Sequence, residues 1–313
     1  MKKVLAAVST IFVLSVSAIA QQRTIAITID DLPVVTTSTD PKFRREIVKK
    51  IVGHLTKAKV PAIAFVNEGG LYTDGKRDEA KVDLVRLYLD AGVELGNHSY
   101  SHRSLNRIQL ADYEEDILKG ETITKELLKT KGREIRYFRH PFLHTGRTME
   151  VKQGFDDFLK QHGYRIAPIS FDNSDYIFAK AYDVARDKGD KALMKKVGEA
   201  YVPYMEAKLE YWERQSVKMF NREMSQTLLI HSNSINAEYL GKLIAMFKRR
   251  GYKCVDIDTA LHDDSYQLAD TYVGPAGISW IHRWTLAKGK EYLVPNEPLV
   301  PPFVLKLSGF ESE

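Results

Sequence analysis

Short apolar segments alternate with amphipathic helical segments along most of this chain, and this alternation limits the folds that it can adopt. Seven segments of three to seven residues have the apolar, β-branched composition of strands that are buried on both faces. Between them, apolar residues recur at helical spacing, as in the stripe from Phe43 to Leu55 that follows Asp40 and Pro41, an N-cap and a first helical residue. Strands that alternate with helices over short connections predict an α/β fold with parallel strands, which either closes into a barrel or stays an open sheet. The predicted strands are residues 24–29, 62–66, 93–95, 135–138, 165–171, 228–230 and 254–257, and the other predicted helices are residues 80–90, 110–131, 149–162 and 237–250.

Two parts of the chain fall outside this alternation. Residues 179–225 are charged and helical and lie between the fifth and sixth predicted strands. They favour a helical hairpin packed on the barrel, with a lid over a substrate cleft as the alternative. Residues 263–313 are rich in proline and predict an irregular C-terminal extension. The expected organisation is a signal peptide over residues 1–20, one α/β domain over residues 21–262 that contains the insertion, and the extension.

The N-terminal residues have the pattern of a secretory signal peptide. Lys2 and Lys3 precede an apolar run over residues 4–18, and Ala18-Ile19-Ala20 has the small-x-small pattern of a cleavage site. The run is short for a spanning helix, so cleavage after Ala20 is favoured over an uncleaved membrane anchor. We therefore expect an exported protein, periplasmic or secreted, with no stable membrane anchor after cleavage.

Composition excludes some classes of partner. A chain of 313 residues, 44% hydrophobic and 28% charged, can bury a large core. Its net charge of +5 becomes +3 without Lys2 and Lys3, and it has no basic block, so a nucleic-acid partner is not expected. Cys254 is the single cysteine, which excludes an internal disulfide and predicts a buried structural thiol. The sequence does not indicate an oligomeric state.

Polar, chemically active residues follow five of the predicted strands. In parallel α/β folds the C-terminal ends of the strands meet at one edge, where ligands bind and catalytic groups collect. A single such residue has many structural explanations, but five strand ends in one chain indicate a functional site. The residues are Asp30 and Asp31 after the first strand, His98 and His102 after the third, Arg139 after the fourth, Asp172 and Asp175 after the fifth, and His231 after the sixth.

His98 and His102 lie four residues apart, a spacing that would place both imidazoles on one face of a helical turn. Two histidines and one carboxylate from elsewhere in the chain are the usual ligands of an open catalytic zinc site. Two surface histidines on a turn are the alternative for this pair alone.

The other strand-end residues also have structural alternatives. Adjacent Asp30 and Asp31 point in different directions, so one can bind a metal while the other faces a reacting group, or the pair can cap a turn. Arg139 follows an apolar strand and would need a carboxylate partner if buried, as in a structural salt bridge. His231 follows three apolar residues, and a hydrogen-bonded core histidine is its alternative.

In this order and strand context, the residues resemble the motifs of the polysaccharide deacetylases, the NodB-homology domain of carbohydrate esterase family 4. The resemblance extends over about residues 24–262, interrupted by the helical insertion, and identifies residues 21–262 as a deacetylase-like catalytic domain. The five motifs are Thr28-Ile29-Asp30-Asp31, His98-Ser99-Tyr100-Ser101-His102, Arg139-His140-Pro141-Phe142, Asp172-Asn173-Ser174-Asp175-Tyr176 and Leu229-Ile230-His231.

The resemblance implies a distorted (β/α)7 barrel and a metal-dependent hydrolase. Such an enzyme would remove acetyl groups from an N-acetylated glycan or glycoside by cleaving a carbon–nitrogen bond that is not a peptide bond. Asp31, His98 and His102 would hold a divalent metal, zinc in the first place, with cobalt, nickel or manganese as alternatives. A metal-bound water would attack the acetyl carbonyl, which the metal also polarises.

The resemblance also implies roles for the remaining motif residues. Asp30 would be the general base, oriented and kept ionised by Arg139. His231 would be the general acid that protonates the leaving amine, and Asp175 would support its cationic form. The backbone N–H of Phe142, next to Pro141, would contribute to binding of the oxyanion and the substrate.

Several residues depart from the pattern of the family. Tyr176 stands where tryptophan is usual, and Asp172 offers a second aspartate beside Asp175. His140 replaces a common proline, and His144 is an additional histidine, either a loop residue or a contact to substrate or metal. The insertion and the extension are unlike the minimal family domain, so the substrate stays open.

Three other functions are compatible with the same residues. A non-sugar linear or cyclic amide is one alternative substrate, although several relatives with such substrates lack part of the metal triad that is intact here. Two histidines and one aspartate also form the facial triad of non-haem iron oxygenases, but Asp30 and His231 fit acid–base chemistry better. A non-catalytic glycan-binding relative is the third, and the retained catalytic residues argue against it. The sequence does not name the sugar, its length, an N- or O-acetyl preference, or the metal.

Overall fold

A curled, seven-stranded parallel sheet forms the centre of this protein, in a computed structural model that describes residues 22–289 and 293–313. The signal peptide expected at residues 1–20 lies outside these described residues. A separate antiparallel hairpin follows the second strand. The strands are β1 (Thr24–Val35), β2 (Ala62–Val66), β3 (Tyr72–Thr73) and β4 (Lys76–Arg77) of the hairpin, β5 (Glu94–Asn97), β6 (Tyr137–Phe138), β7 (Arg165–Ile166), β8 (Gln226–Asn233) and β9 (Lys253–Val255).

Helices connect most of these strands, and several begin at side chains that satisfy free backbone N–H groups. The carboxylates of Asp40, Asp78 and Asp190 and the hydroxyl of Thr148 accept such bonds at four helix starts. No helix in the described part of the chain is long and apolar enough to cross a bilayer. The helices are α1 (Pro41–Ala58), α2 (Glu79–Asp90), α3 (Leu110–Lys119), α4 (Thr122–Lys129), α5 (Met149–Gln161), α6 (Asp175–Asp187), α7 (Lys191–Phe220), α8 (Ser234–Arg249), α9 (Ile257–Leu261), α10 (Trp280–Ala287) and α11 (Pro302–Ser308).

The sheet is so strongly curved that the segment from β7 to Phe171 pairs with both of its edges. Hydrogen bonds link the strands in the parallel order β7-β6-β5-β2-β1-β8, and β9 pairs with the first residues of β1. β7 pairs with β6 at one edge, and Phe171 in the same segment forms a parallel bridge to Leu228 of β8 at the other. Pro168 lies between the two pairings and has no N–H to donate, so the ladder is interrupted there. The α/β fold with a distorted barrel is therefore confirmed.

Alternate residues of β1 face opposite sides of the sheet, as the strand period of two requires. Ile25, Ile27 and Ile29 pack in the core between the sheet and the helices, whereas Ala26 packs inside the barrel with Phe65. Burial on both faces explains the mostly apolar sequence of the strand before Asp30 and Asp31, the polar residues of the site, after which the strand continues to Val35.

The predictions for residues 110–131 and for Cys254 differ from the structure. The helix predicted over residues 110–131 is divided into α3 and α4 near Gly120, where a Cβ atom would lie 2.5 Å from backbone atoms of Ser99 and Tyr100. This close approach lets the loop after β5 pass against the helix break. Cys254, expected to be buried, is half-buried in β9, and burial raises the pKa of its thiol.

The insertion and the extension both pack on the barrel. α6 and α7 form a helical hairpin with a turn at Gly189, whose φ is +69°, and they contact α8. α6 begins at Asp175, four residues before the start expected for the insertion. The extension was expected to be irregular, which is wrong for α10 and α11. Ser279 and Pro301–Pro302 mark the starts of these helices, so the polar and proline residues there initiate structure.

Candidate active site

A cleft of about 950 Å³ opens at the C-terminal ends of the parallel strands. Its lining includes Asp30 and Asp31 near the end of β1, His98 and His102 after β5, His140 after β6, and His231 near the end of β8. Segments outside the barrel also line it. Lys180, Asp183 and Lys208 come from the insertion, for which a position over the cleft was the alternative considered, and Gly277, Glu297, Leu299 and Glu313 come from the extension, for which no sequence pattern indicated such a position.

Three possible metal donors lie together on one side of this cleft. Oδ1 of Asp31 lies 3.4 Å from Nε2 of His98 and 3.3 Å from Nε2 of His102, and one donor atom from each residue lies within 4.8 Å of the others. Nδ1 of His98 lies 2.8 Å from the carbonyl oxygen of Arg139, which can only accept a hydrogen bond. This contact places the proton on Nδ1 and leaves the lone pair of Nε2 directed toward Asp31.

The charges of these three groups fit a divalent cation. Burial lowers the pKa of His98 to about 4 and that of His102 to about 4, so both imidazoles are neutral at physiological pH. Burial alone would raise the pKa of Asp31, but His98 and His102 lower it overall, so the carboxylate is ionised. Two neutral imidazoles and one carboxylate form an open zinc-type donor set.

The backbone around these donors is a loop, which corrects the helical turn used to interpret the spacing of His98 and His102. Ser99 and His102 have φ values of +69° and +51°, in the left-handed region, and Asp31 has +62°. Left-handed residues with side chains cost energy, of the order of 1–3 kcal/mol each, and persist where tertiary contacts hold them. Asp116 supplies such contacts, because its carboxylate accepts bonds from the backbone N–H and the hydroxyl of Ser101 at 3.0 and 2.6 Å.

Asp30 lies beside the metal donors and is held by Arg139. Nη1 of Arg139 lies 3.2 and 3.1 Å from the two carboxylate oxygens, so the salt bridge considered from the sequence is present. Its Nε donates to the carbonyl of Ala167 and its Nη2 to the hydroxyl of Thr28, which fixes the buried guanidinium. Burial raises the pKa of Asp30 to about 6, although Arg139 acts to lower it. Asp30 can therefore exchange a proton near neutral pH.

His231 faces the same cleft and is held by Asp175. Nδ1 of His231 lies 2.7 Å from Oδ1 of Asp175, whose Oδ2 accepts bonds from the backbone N–H of His231 and the side-chain amides of Asn233 and Asn236. Burial would lower the pKa of His231, but Asp175 and the other nearby carboxylates raise it to about 10. Asp172 instead lies near Lys208, and burial raises its pKa to about 6. The geometry therefore pairs Asp175 with the histidine.

The loop after β6 forms another wall of the cleft. Phe142 and Leu143 have φ values of +58° and +53°, and the exposed ring of Phe142 lies 4.4 Å from the ring of His102. Pro141 is buried at the start of this turn.

The extension holds this loop from behind. A Cβ atom on Gly277 would lie 1.7 Å from the carbonyl oxygen of Phe142, so glycine permits the contact. Buried Arg283 donates to the carbonyl of Leu143 and to the hydroxyl of Thr145, and it pairs with Asp270 at 3.1 Å. The extension is therefore part of the site's framework.

The two additional histidines lie apart from the three metal donors. The ring of His140 packs between Phe138 and Phe155 at 5.1 and 5.3 Å, and burial lowers its pKa well below the usual value. Nδ1 of His144 lies 2.7 Å from the hydroxyl of Ser104 at the cleft wall.

Several supporting residues had no signal in the local sequence. Asn67 donates to Oδ1 of Asp31 at 3.5 Å and to the carbonyl of His98 at 3.3 Å, although no motif includes it. Asn236 donates to Asp175 from the first turn of α8. In the sequence, only Asn233 hints at this arrangement, because asparagine is a common N-cap and here marks the start of α8.

Known proteins share this fold and part of this sequence. Residues 18–167 match the family model described as polysaccharide deacetylase. A sequence search among curated proteins gives no match. The chitin deacetylase from the fungal pathogen Colletotrichum lindemuthianum has 21% identity and a TM-score of 0.52, with 78% of this chain and 90% of that chain covered.

Two further solved structures are similar. One is a mutant, with restored enzymatic activity, of a carbohydrate esterase family 4 pseudoenzyme from Bacillus anthracis; it has 19% identity and a TM-score of 0.52, with 77% of this chain and 68% of that chain covered. The other is a peptidoglycan N-acetylglucosamine deacetylase with 18% identity and a TM-score of 0.50, with 77% and 88% covered.

At these identities the solved structures show a common fold, and the family model supplies the sequence relationship. The matched residues contain the first three motifs, from Asp30 to Phe142. Residues 18–167 of this chain are therefore similar in sequence to the polysaccharide deacetylase family, and the described chain shares the fold of solved deacetylases.

Proposed function

We propose that this protein is a metal-dependent hydrolase that removes acetyl groups from an N-acetylated glycan or glycoside. One observation carries the proposal: Asp30, with a pKa of about 6, and His231, with a pKa of about 10, face one cleft beside three metal donors. Amide hydrolysis needs a base to activate water and an acid to protonate the leaving amine, and these two groups have proton affinities suited to those tasks.

Asp31, His98 and His102 would hold the divalent metal, with zinc first and cobalt, nickel or manganese as alternatives. When bound, such a metal supplies a Lewis acid that polarises a carbonyl and acidifies water. The tautomer of His98 set by the Arg139 carbonyl keeps Nε2 available as a donor.

The protein's own residues would move the protons. A carboxylate oxygen of Asp30 takes a proton from the attacking water, whose oxygen bonds to the acetyl carbon. Nε2 of His231 then gives a proton to the amine nitrogen as the carbon–nitrogen bond breaks, and acetate and the free amine leave. Arg139 holds Asp30 in place and Asp175 keeps His231 cationic. The backbone N–H of Phe142 would donate to the developing oxyanion.

Two considerations favour a glycan as substrate. Solved structures with this fold include a chitin deacetylase and a peptidoglycan N-acetylglucosamine deacetylase. Export through the signal peptide expected at residues 1–20, to the periplasm or beyond, would bring the enzyme to cell-wall or extracellular glycans.

The test is acetate release by the protein stripped of metal and then reloaded with zinc, cobalt, nickel or manganese. Substrates are N-acetylglucosamine oligomers, peptidoglycan fragments and O-acetyl esters. We expect metal-dependent release that Asp30→Asn lowers by about 10²–10⁴-fold. Asp157→Asn, an exposed aspartate on α5, is the matched control and should behave as the unaltered protein.

A non-sugar amide is the second candidate, because residues of the insertion and the extension line the cleft and narrow the range of substrates that enter it. A protein that binds metal at the three donors yet releases no acetate from any glycan would refute the glycan proposal. Hydrolysis of small linear or cyclic amides would then support the alternative.

A further inference from the structure

We propose that residues 297–313 form a second sugar-binding subsite, which holds the ring next to the acetylated sugar in a glycan of at least two units. The inference rests on the proposed function and specifies its substrate. Nothing in the motifs points to it, because these residues lie far outside the residues matched by the family model.

The first observation is where the exposed apolar side chains lie. Ten large hydrophobic side chains are exposed in the described part of the chain. Val35, Phe142, Tyr176 and Leu299 line the cleft, and the ring of Phe310 lies 5.5 Å from that of Tyr176. Scattered exposed apolar residues need no explanation, but half of them at one cleft indicate a surface that a ligand covers.

The second observation is that the segment carrying Leu299 is anchored. Glu297 forms an ion pair with buried Lys208 of α7. Glu313 accepts bonds from the hydroxyl of Ser174, at 3.0 Å, and from the backbone N–H of Val300. Leu299 lies between these anchors and is 73% exposed, so a fixed backbone presents an apolar side chain to the cleft.

The third observation is the position of this surface. The ring of Tyr176 lies 6.3 Å from that of His231, the proposed acid, and 5.5 Å from that of Phe310. The apolar surface therefore adjoins the place where the amine would leave. A group bonded to the reacting sugar would reach it.

The chemistry of the surface fits a pyranose ring. Such a ring has a face of C–H groups and an edge of hydroxyls, and it therefore matches aromatic and aliphatic side chains beside hydrogen-bond acceptors. The carboxylates of Glu297 and Glu313 line the same wall and keep acceptor positions beyond their present partners. A lipid chain or an apolar peptide side chain would cover the surface but leave these acceptors unmatched.

The test is binding of the N-acetylglucosamine monomer, dimer and tetramer, measured by calorimetry in the Asp30→Asn background so that the ligand persists. We expect Phe310→Ala and Leu299→Ala each to weaken dimer and tetramer binding about fivefold and to leave monomer binding unchanged. Leu118→Ala is the matched control, because Leu118 is also exposed but lies on α3 and does not line the cleft, whereas Leu299 lines it and the ring of Phe310 lies 5.5 Å from that of Tyr176, which lines it.

Three results would overturn the proposal. They are equal dimer affinities in the variants and the control, an equal loss of monomer and dimer affinity in the variants, and no binding of dimer or tetramer. Acetate release by the protein with Asp30 intact is a separate measurement, so a failed subsite and a failed proposed function are distinguishable.

Discussion

At the scale of single residues, burial raises the pKa of Asp30 and neighbouring charges raise that of His231, to levels that suit a base and an acid respectively. Burial raises the pKa of Asp30 to about 6 even though Arg139 opposes the change. Burial acts to lower the pKa of His231. The negative charges of Asp175 and the other nearby carboxylates outweigh this effect and raise the pKa to about 10. At a pH between these two pKa values, the ionised carboxylate of Asp30 can accept a proton and the imidazolium of His231 can donate one.

We expect the imidazolium of His231 in the metal-free protein to persist far above pH 6.5, the ordinary pKa of histidine. NMR titration should show it protonated until about pH 10, whereas Asp175→Asn should lower the pKa, because the carboxylate that contributes most to raising it is lost. A raised folded pKa stabilises the protein fully below pH 6.5, and this contribution is lost as pH rises through 10. Urea unfolding at several pH values should show that loss, and an unchanged profile in Asp175→Asn would contradict the assignment.

Removal of the guanidinium beside Asp30 should move the acid limb of activity. In Arg139→Gln the carboxylate loses the charge that lowers its pKa, so kcat/KM should rise with pH at a higher pH than in the unaltered protein. The buried pair is also broken, at a cost of about 3–5 kcal/mol in the free energy of unfolding. Exposed Arg133→Gln is the control, and identical acid limbs in the two variants would show that Arg139 does not act on Asp30.

At the scale of elements, the loop after β5 takes its shape from what packs against it. The break between α3 and α4 brings Gly120 against Ser99 and Tyr100, and a Cβ on Gly69 would lie 2.4 Å from the carbonyl oxygen of Tyr100. Two glycines thus permit the left-handed turns that bring His98 and His102 together.

Gly120→Ala should therefore weaken metal binding. The added methyl group would lie 2.5 Å from backbone atoms of the loop, so the loop must move. We expect zinc affinity, measured by competition with a chelator, to fall about 10–100-fold. Gly53→Ala in α1 is the control, since a Cβ there meets nothing within 4 Å, and its metal affinity should be unchanged.

The extension should act on the loop that carries Phe142. In Arg283→Gln the donors to Leu143 and Thr145 are weakened, while Asp270 keeps Lys152 as a partner at 3.1 Å. A displaced loop should lower kcat about 10–100-fold and leave metal affinity unchanged, because the three donors lie elsewhere. Parallel assays of acetate release and metal binding test this. A variant with unchanged kcat would show that Arg283 does not position the loop for catalysis.

At the scale of the whole molecule, the site joins segments that are distant in sequence, so a bound metal should stabilise the fold. Chelation should lower the melting temperature, since saturation at about 100 times Kd contributes about 2.7 kcal/mol. For a chain of this size that corresponds to about 4 °C. His102→Ala removes one donor and should melt at the same temperature with and without chelator; a shift in that variant would place the metal elsewhere.

Local sequence was enough to predict the α/β class, the approximate positions of the strands of the main sheet, and the polar residues near their C-terminal ends. These follow from local pattern, because a strand buried on both faces is mostly apolar, and a change to polar residues along it, as at Asp30 and Asp31, marks the edge of the sheet where the site lies. Asp30, Asp31, His98, His102, Arg139 and His231 could therefore be named before any contact was known.

Tertiary structure decided what depends on contacts between distant parts of the chain. The hydrogen bond between Asp175 and His231 depends on Asn233 and Asn236, which donate to the same carboxylate. The helix break at Gly120 required the loop that passes it, and closure of the barrel required Phe171 to reach Leu228. Gly277 and Leu299 join the site only because the extension folds back over more than a hundred residues of chain, and no local pattern carries that information.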